Sequence, residues 1–275
     1  MHKPLKTLLM AGLIATTAIF IMGCGTSSDS VNGNDEKKEI KVGVTAGPQA
    51  EMMDEVAKEA TKQGLTIKVI EFNDFIQPNK ALAEKDLDMN VYQHKPYLDN
   101  VVQKQGLPLT AIGKTAVLPM AMYSNKYKSL AAIPTNAKVT IPNDPSNGAR
   151  ALLLLQKAGL ITLKTGEAIE ASVADVAENP KNLQIIELDA AQITRSLDDT
   201  DFACINTNYA LSAGLNPQKD SLFVEDKESP YACVIVVRDE DKDDPTYKKV
   251  VSIYQSEPIR KFIEEKYQGA AIPAF

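Results

Sequence analysis

Residues 40–72 read IKVGVTAGPQAEMMDEVAKEATKQGLTIKVIEF. Ile40 to Val44 alternates along its length and is rich in β-branched residues, the period-two signal of a strand. Pro48 stands where a helix starts, because its missing N–H and fixed φ suit the first turn. Met52, Met53, Val56, Ala57 and Ala60 then recur at helical spacing, and Gly64 stops the helix. Leu65 to Phe72 is a second strand. Strand, helix and strand over about 30 residues make a βαβ unit, which implies a parallel sheet.

The same grammar continues outward. A short helix near Asn79–Lys85, a strand at Leu87–Tyr92 and a helix at Pro96–Lys104 lead into a long extended run, Leu109 to Tyr123, broken by Pro119. A second α/β series follows. It has a strand at Lys138–Ile141, a helix at Ala149–Ala158, a strand at Leu183–Leu188, a helix at Gln192–Leu197 and a strand at Phe202–Ile205. Tyr231–Val237 reads as extended, and Pro245–Tyr267 as one long helix bent at Pro258. Ala81–Asn90 and Arg195–Asn206 share a pattern of helix end, acidic turn, short strand and polar residues. This is α/β architecture in two lobes, each with polar groups at the carboxyl ends of strands. Ligands bind there in open α/β sheets.

The N-terminus carries a different message. Lys3 and Lys6 precede an apolar core, Leu8–Met22, too short and too N-terminal for a stable membrane span. Gly23-Cys24 ends that core. A small residue and then cysteine marks a lipoprotein cleavage site, so residues 1–23 are a signal peptide and Cys24 the lipidated (palmitate-bearing) N-terminus. Residues 24–39 are polar and suit a flexible tether. Without Lys3 and Lys6 the formal charge falls from −6 to −8, with 28 basic against 36 acidic residues. An acidic chain without tryptophan argues against nucleic-acid binding. About 235 residues follow the tether, enough for two lobes. Cys204 and Cys233 lie in apolar runs and read as buried free thiols.

Asn90-Val-Tyr-Gln-His-Lys-Pro-Tyr97 sets amides, tyrosines and the sole histidine of the mature chain into eight residues. A metal site would need further nitrogen or sulfur ligands. A hydrolase would need a nucleophile for His94, and no G-x-S-x-G motif is present. No cofactor motif appears, and no enzyme is implied. His94 flanked by Tyr92 and Tyr97 reads instead as a wall for a small polar molecule with an apolar part. Pro142-Asn-Asp-Pro-Ser-Asn-Gly-Ala-Arg150 leaves a strand and enters a helix. Ser146 or Asn147 is the expected cap, and Arg150 offers a fork for a carboxylate. Asn206 and Asn208 follow another strand and suit an ammonium or carboxylate. Phe75 is a candidate aromatic wall.

At these residues the chain resembles the NlpA-type lipoproteins, the methionine-binding components of ABC importers. The matching segments include Phe72-Asn-Asp-Phe75, Gln93-His-Lys-Pro-Tyr-Leu-Asp99, Pro142-Asn-Asp-Pro145, Leu152-Leu-Leu-Leu-Gln-Lys157, Glu178-Asn-Pro-Lys-Asn-Leu183, Arg195-Ser-Leu-Asp-Asp199 and Phe223-Val-Glu-Asp-Lys-Glu-Ser-Pro-Tyr231. The resemblance implies a periplasmic-binding-protein-like fold, with residues 40–118 plus 228–275 as one lobe, 119–227 as the other, and a ligand cleft between. It implies that Phe75 and Tyr92 clasp a thioether side chain and that His94 and Tyr97 line the pocket. Asn147 and Arg150 would bind the α-carboxylate, and Asn206 further polar groups. It departs at Cys233, where the family usually has an asparagine that contacts the ligand's backbone groups. A thiol is a poor donor and acceptor, and a missing partner costs about 1–3 kcal/mol. Ala116 and Leu118 also stand where aromatics are usual. The expectation is a monomeric solute-binding protein, lipid-anchored in the cell envelope on the periplasmic side or at the cell surface. It would carry L-methionine, or another amino acid, a methionine derivative or a short peptide, to an ABC permease and its ATPase. A surface adhesion lipoprotein is the alternative from another class.

Overall fold

The computed structural model describes residues 39–164, 170–226 and 229–275. The expected leader, Cys24 and the tether as far as residue 38 lie outside them. β1 (Glu39–Thr45), α1 (Pro48–Lys62) and β2 (Thr66–Phe72) form the βαβ unit, with β1 and β2 parallel from Glu39 opposite Thr66 to Thr45 opposite Phe72. α2 (Gln77–Ala83), β3 (Met89–His94), α3 (Lys95–Gln105) and β4 (Leu109–Val117) follow.

The chain then crosses through Leu118, Pro119 and Met120 into a second sheet. Pro119 has no N–H to donate to a ladder, so the extended run breaks there. The second lobe contains β5 (Ala121–Tyr123), β6 (Lys138–Pro142), α4 (Pro145–Lys157), the short antiparallel pair β7 (Thr162–Leu163) and β8 (Val176–Glu178), β9 (Gln184–Leu188), β10 (Phe202–Ile205), α5 (Thr207–Ser212) and β11 (Phe223–Val224). The chain returns as β12 (Ala232–Arg238), α6 (Pro245–Tyr254), α7 (Glu257–Tyr267) and β13 (Ile272–Pro273).

The first sheet has the order β13-β4-β12-β3-β1-β2 and the second β11-β5-β10-β6-β9. Within them β12-β3-β1-β2 and β5-β10-β6-β9 correspond. Each has one antiparallel strand that arrives from the other lobe, then three parallel strands. β3 and β10 occupy matching places, which accounts for the shared sequence pattern that leads into them.

Each sheet is covered on both faces, as a parallel sheet must be. In the first lobe Met52, Met53 and Val56 of α1 and Val250, Ile253, Ile259 and Ile263 of α6 and α7 pack on Ile40, Val42 and Val44. Leu82 and Leu98 cover the opposite face with Val234 and Val236. In the second lobe Leu152 and Leu155 of α4 pack on Val139, Ile141 and Phe202, while Ile193 and Leu197 lie across Ala203 and Ile205. Each such leucine or isoleucine contributes roughly 1.5–3 kcal/mol on burial.

Two expectations are corrected. The single C-terminal helix is two helices, because Ser256 is extended (φ −82°, ψ 159°) and stands at the head of α7, with Pro258 in its first turn. Proline here starts a helix instead of bending one. The expected helix at 192–197 is a 3₁₀ segment, Ala190–Asp198, capped by the Asp189 carboxylate, which accepts from the Ala191 N–H. Cys204 and Cys233 are both buried and free. Among the described residues no helix is long and apolar enough to cross a membrane.

Candidate functional site

The carboxyl ends of β1, β3, β6 and β10 face each other, and the helices that follow them begin at the same place. Thus Gln49 sits in the first turn of α1, His94 caps α3, Asn147 and Arg150 lie in the first turns of α4, and Asn206 stands at the head of α5 without capping it through its side chain. All eight residues expected from the sequence (Phe75, Tyr92, His94, Tyr97, Asn147, Arg150, Asn206 and Cys233) line one small cavity. Gln49, Gln93, Leu118, Thr207, Asn208 and Tyr231 complete the lining.

One end of the cavity is aromatic. The Tyr92 and Tyr97 hydroxyls both donate to the Phe75 carbonyl at 2.8 Å, which ties the loop before α2 to β3 and α3. The Phe75 ring lies 6.0 Å from Tyr92, 6.0 Å from Tyr97 and 5.0 Å from Tyr209 of the opposite lobe. With both hydroxyl protons spent on Phe75, these two tyrosines offer an apolar side chain their faces and not their donors. Burial raises the phenols of Tyr92, Tyr97 and Tyr209, so all three are neutral.

The other end is polar. The His94 Nδ1 accepts from the Tyr97 N–H at 3.2 Å and so caps α3. Its proton therefore sits on Nε2, which donates to the Asn147 Oδ1 at 3.0 Å across the cleft. Burial, and then the Arg150 charge, push the imidazole down to about 3, so His94 is neutral. The Asn206 Nδ2 donates to the same Asn147 oxygen at 2.8 Å. The Asn147 Nδ2 donates to both carboxylate oxygens of Asp144, at 3.1 and 2.9 Å. Both ends of the Asn147 amide are therefore committed to protein partners. The expected cap of α4 is also corrected: Asp144, not Ser146 or Asn147, accepts from the Asn147 N–H, at 2.9 Å.

Arg150 is 3% exposed and held from behind. Its Nε donates to the Glu225 Oε1 at 3.1 Å, and its Nη2 donates to the Glu225 Oε2 and to the Leu118 carbonyl, the latter at 2.9 Å. The Tyr231 ring lies 4.3 Å below the guanidinium and 5.0 Å from the His94 ring. Cys233 pairs with His94 across β12 and β3, and its Sγ–H points at the Tyr92 carbonyl, 3.7 Å away. Burial pushes that thiol up to about 12.

Four buried polar atoms on the cavity wall lack a protein partner: the Gln49 Oε1, Asn206 Oδ1, Asn208 Nδ2 and Tyr231 hydroxyl. Leaving such an atom unmet costs about 1–3 kcal/mol, so a cluster of four marks a place made for a polar ligand. Two are acceptors and suit an ammonium. The amide nitrogen and the hydroxyl are donors and, beside Arg150, suit a carboxylate. Gln49 and Tyr231 are not among the residues that the sequence singles out for the site. Gln49 lies one residue after Pro48, at a strand-to-helix junction like those of His94 and Asn147, so position alone could have suggested it.

The family model for NlpA lipoprotein matches residues 40–275. The D-methionine-binding lipoprotein MetQ of Escherichia coli (strain K12) is 46% identical over 273 residues, 97% of each chain. A nutrient binding protein from Burkholderia cenocepacia, solved bound to methionine, is 51% identical with a TM-score of 0.83 over 86% of this chain and 100% of that one. A periplasmic substrate-binding protein of an ABC transporter from Coxiella burnetii is 47% identical with a TM-score of 0.83, over 86% and 100% of the two chains. With a family model spanning both lobes and relatives this similar over nearly their full length, the chain belongs to the NlpA lipoprotein family.

Proposed function

We propose that the protein is the lipid-anchored solute receptor of an ABC importer, binding methionine between its lobes and delivering it to a membrane permease with a cytoplasmic ATPase. No reaction is catalysed. The observation that carries the reading is the composition of the cavity wall. Arg150 stands at the polar end, and partnerless acceptors (Gln49 Oε1, Asn206 Oδ1) and donors (Asn208 Nδ2, Tyr231 hydroxyl) share the cavity wall with it. At the other end the Tyr92 and Tyr97 hydroxyls are already spent on Phe75. An α-amino acid with an unbranched apolar or thioether side chain satisfies both ends at once.

Arg150, Asn208 and Tyr231 hold the α-carboxylate, and Gln49 and Asn206 the ammonium. Phe75, Tyr92 and Tyr97 enclose the side chain. His94 and Asn147 join the lobes and line the pocket. Cys233 lines it where an amide would add a further hydrogen bond. We divide the lobes at 118/119 and, outside the described residues, at 227/228, and place the acyl anchor on Cys24 at the end of the tether, with the protein a monomer.

The test is the identity of the molecule released when protein purified from rich medium is unfolded. Mass spectrometry is expected to find methionine. Recovery of a different amino acid or a peptide alone would reassign the ligand within the same role, and Cys233 is the residue that would account for it. Both enantiomers are to be resolved, since the E. coli relative's name specifies D-methionine.

A further inference from the structure

Among the described residues that line the cavity, Arg150 is the only ionised side chain, because His94 is neutral. Its charge is matched at once by Glu225, which is not itself on the cavity wall. The two form a fork against a fork, with side chains 3% and 10% exposed. Glu225 is fixed in turn by the first crossing between lobes. Its Oε2 accepts from the Met120 N–H at 3.2 Å, and its own N–H donates to the Met120 carbonyl at 2.9 Å. The carboxylate thus stands on a rigid frame behind the guanidinium. Asp144, held by the Asn147 amide, and Asp74 in the loop that carries Phe75 are half-buried and outside the wall. The N-termini of α1, α3 and α4 add partial positive charge at the same end of the cleft.

We propose that Glu225 sets the net charge of the ligand: by neutralising Arg150 it makes the site select a zwitterion over an anion or a cation of the same shape. This rests on the amino-acid reading above. Arg150 and Glu225 together carry no net charge, so the buried pair takes up a zwitterion without leaving an unpaired charge. A net anion would pair with Arg150 but stay uncompensated against Glu225, and a net cation would leave Arg150 without its ligand partner. Glu225 acts through Arg150 and touches no ligand, so it is a positioning residue that also sets charge.

Three isosteric ligands test this by calorimetry at pH 6, on protein stripped by unfolding and refolding: methionine, its 2-hydroxy analogue (net −1) and its carboxamide (net +1). The wild type should prefer methionine over each by roughly 10- to 150-fold, one lost charged hydrogen bond. In Glu225→Gln the ratio of hydroxy-acid to methionine affinity should rise at least tenfold while the carboxamide falls further behind. Glu225→Asp should keep the wild-type order. A parallel loss for all three ligands in Glu225→Gln makes the residue merely structural and overturns the proposal. So does equal affinity of the wild type for methionine and its hydroxy analogue, which needs no variant to fold. No binding of methionine by the wild type would instead bring down the amino-acid reading, and this inference with it.

Discussion

Tyr231 keeps its hydroxyl without a protein partner while its ring stacks under Arg150. Under the proposed function that hydroxyl serves the ligand alone. Tyr231→Phe should therefore weaken methionine binding by roughly 5- to 150-fold, the value of one buried hydrogen bond. The melting temperature of the free protein should stay the same or rise. A matching drop in stability would show that the hydroxyl works for the fold. Cys233 makes the opposite case. Its Sγ contributes only a weak contact to the Tyr92 carbonyl at 3.7 Å. Cys233→Asn adds a strong donor and acceptor inside the cavity and should tighten methionine binding about tenfold by titration calorimetry. Equal or weaker affinity would mean that the polar ring is already complete. Residues of this kind divide by how they could be read. His94, Asn147 and Asn206 follow strands in polar clusters and were legible. Glu225 lies 75 residues from the arginine it neutralises, and no local pattern ties the two together.

At the level of elements, the parallel strands and their helices could be read because burial on both faces imposes apolar runs of distinct period. The breaks were harder. Pro258 signals both a bend and a helix start, and only the extended Ser256 decides between them. The most exacting junction is Gly47, which precedes α1 at φ +90°. A Cβ there would come 2.4 Å from the Ser212 Oγ of the opposite lobe. That hydroxyl is itself donated to the Asn208 carbonyl at 2.8 Å. Gly47→Ala should lower stability in denaturant by about 1–2 kcal/mol from the backbone alone. It should also weaken ligand affinity, because the lobes no longer approach. Adding Ser212→Ala should recover affinity but not stability. Unchanged affinity in the single variant would contradict the close approach.

Across the whole molecule, the lobes are joined by hydrogen bonds, among other contacts, of which the sequence held little sign. His94 to Asn147 is one, the Tyr209 hydroxyl donating to the Asn73 carbonyl at 3.4 Å another, and the Gln218 amide donating to the Gly269 carbonyl at 3.1 Å a third. His94 gives this contact a pH dependence. Its folded value of about 3 is below the 6.5 of a free histidine. Between those limits the unfolded chain binds a proton that the folded one does not. The term is therefore fully favourable above pH 6.5, and stability falls as pH drops toward 3, by about 1.4 kcal/mol per unit from this group. His94→Asn retains a capping side chain for α3. Its stability should fall less steeply than the wild type's between pH 6 and 4, and identical slopes would mean that His94 is not buried neutral. Closure itself needs a ligand that touches both lobes, since only differential contacts shift such an equilibrium.

We propose that one cavity holds a methionine zwitterion between an aromatic end and a polar end. Titration calorimetry of protein stripped of ligand by unfolding and refolding tests it most directly. Methionine should give saturable, one-to-one binding, and glutamate or lysine, whose charged side chains would enter the aromatic end, should give none at the same concentration. Absence of heat with both methionine enantiomers at millimolar concentration, from protein with native circular dichroism, would contradict it.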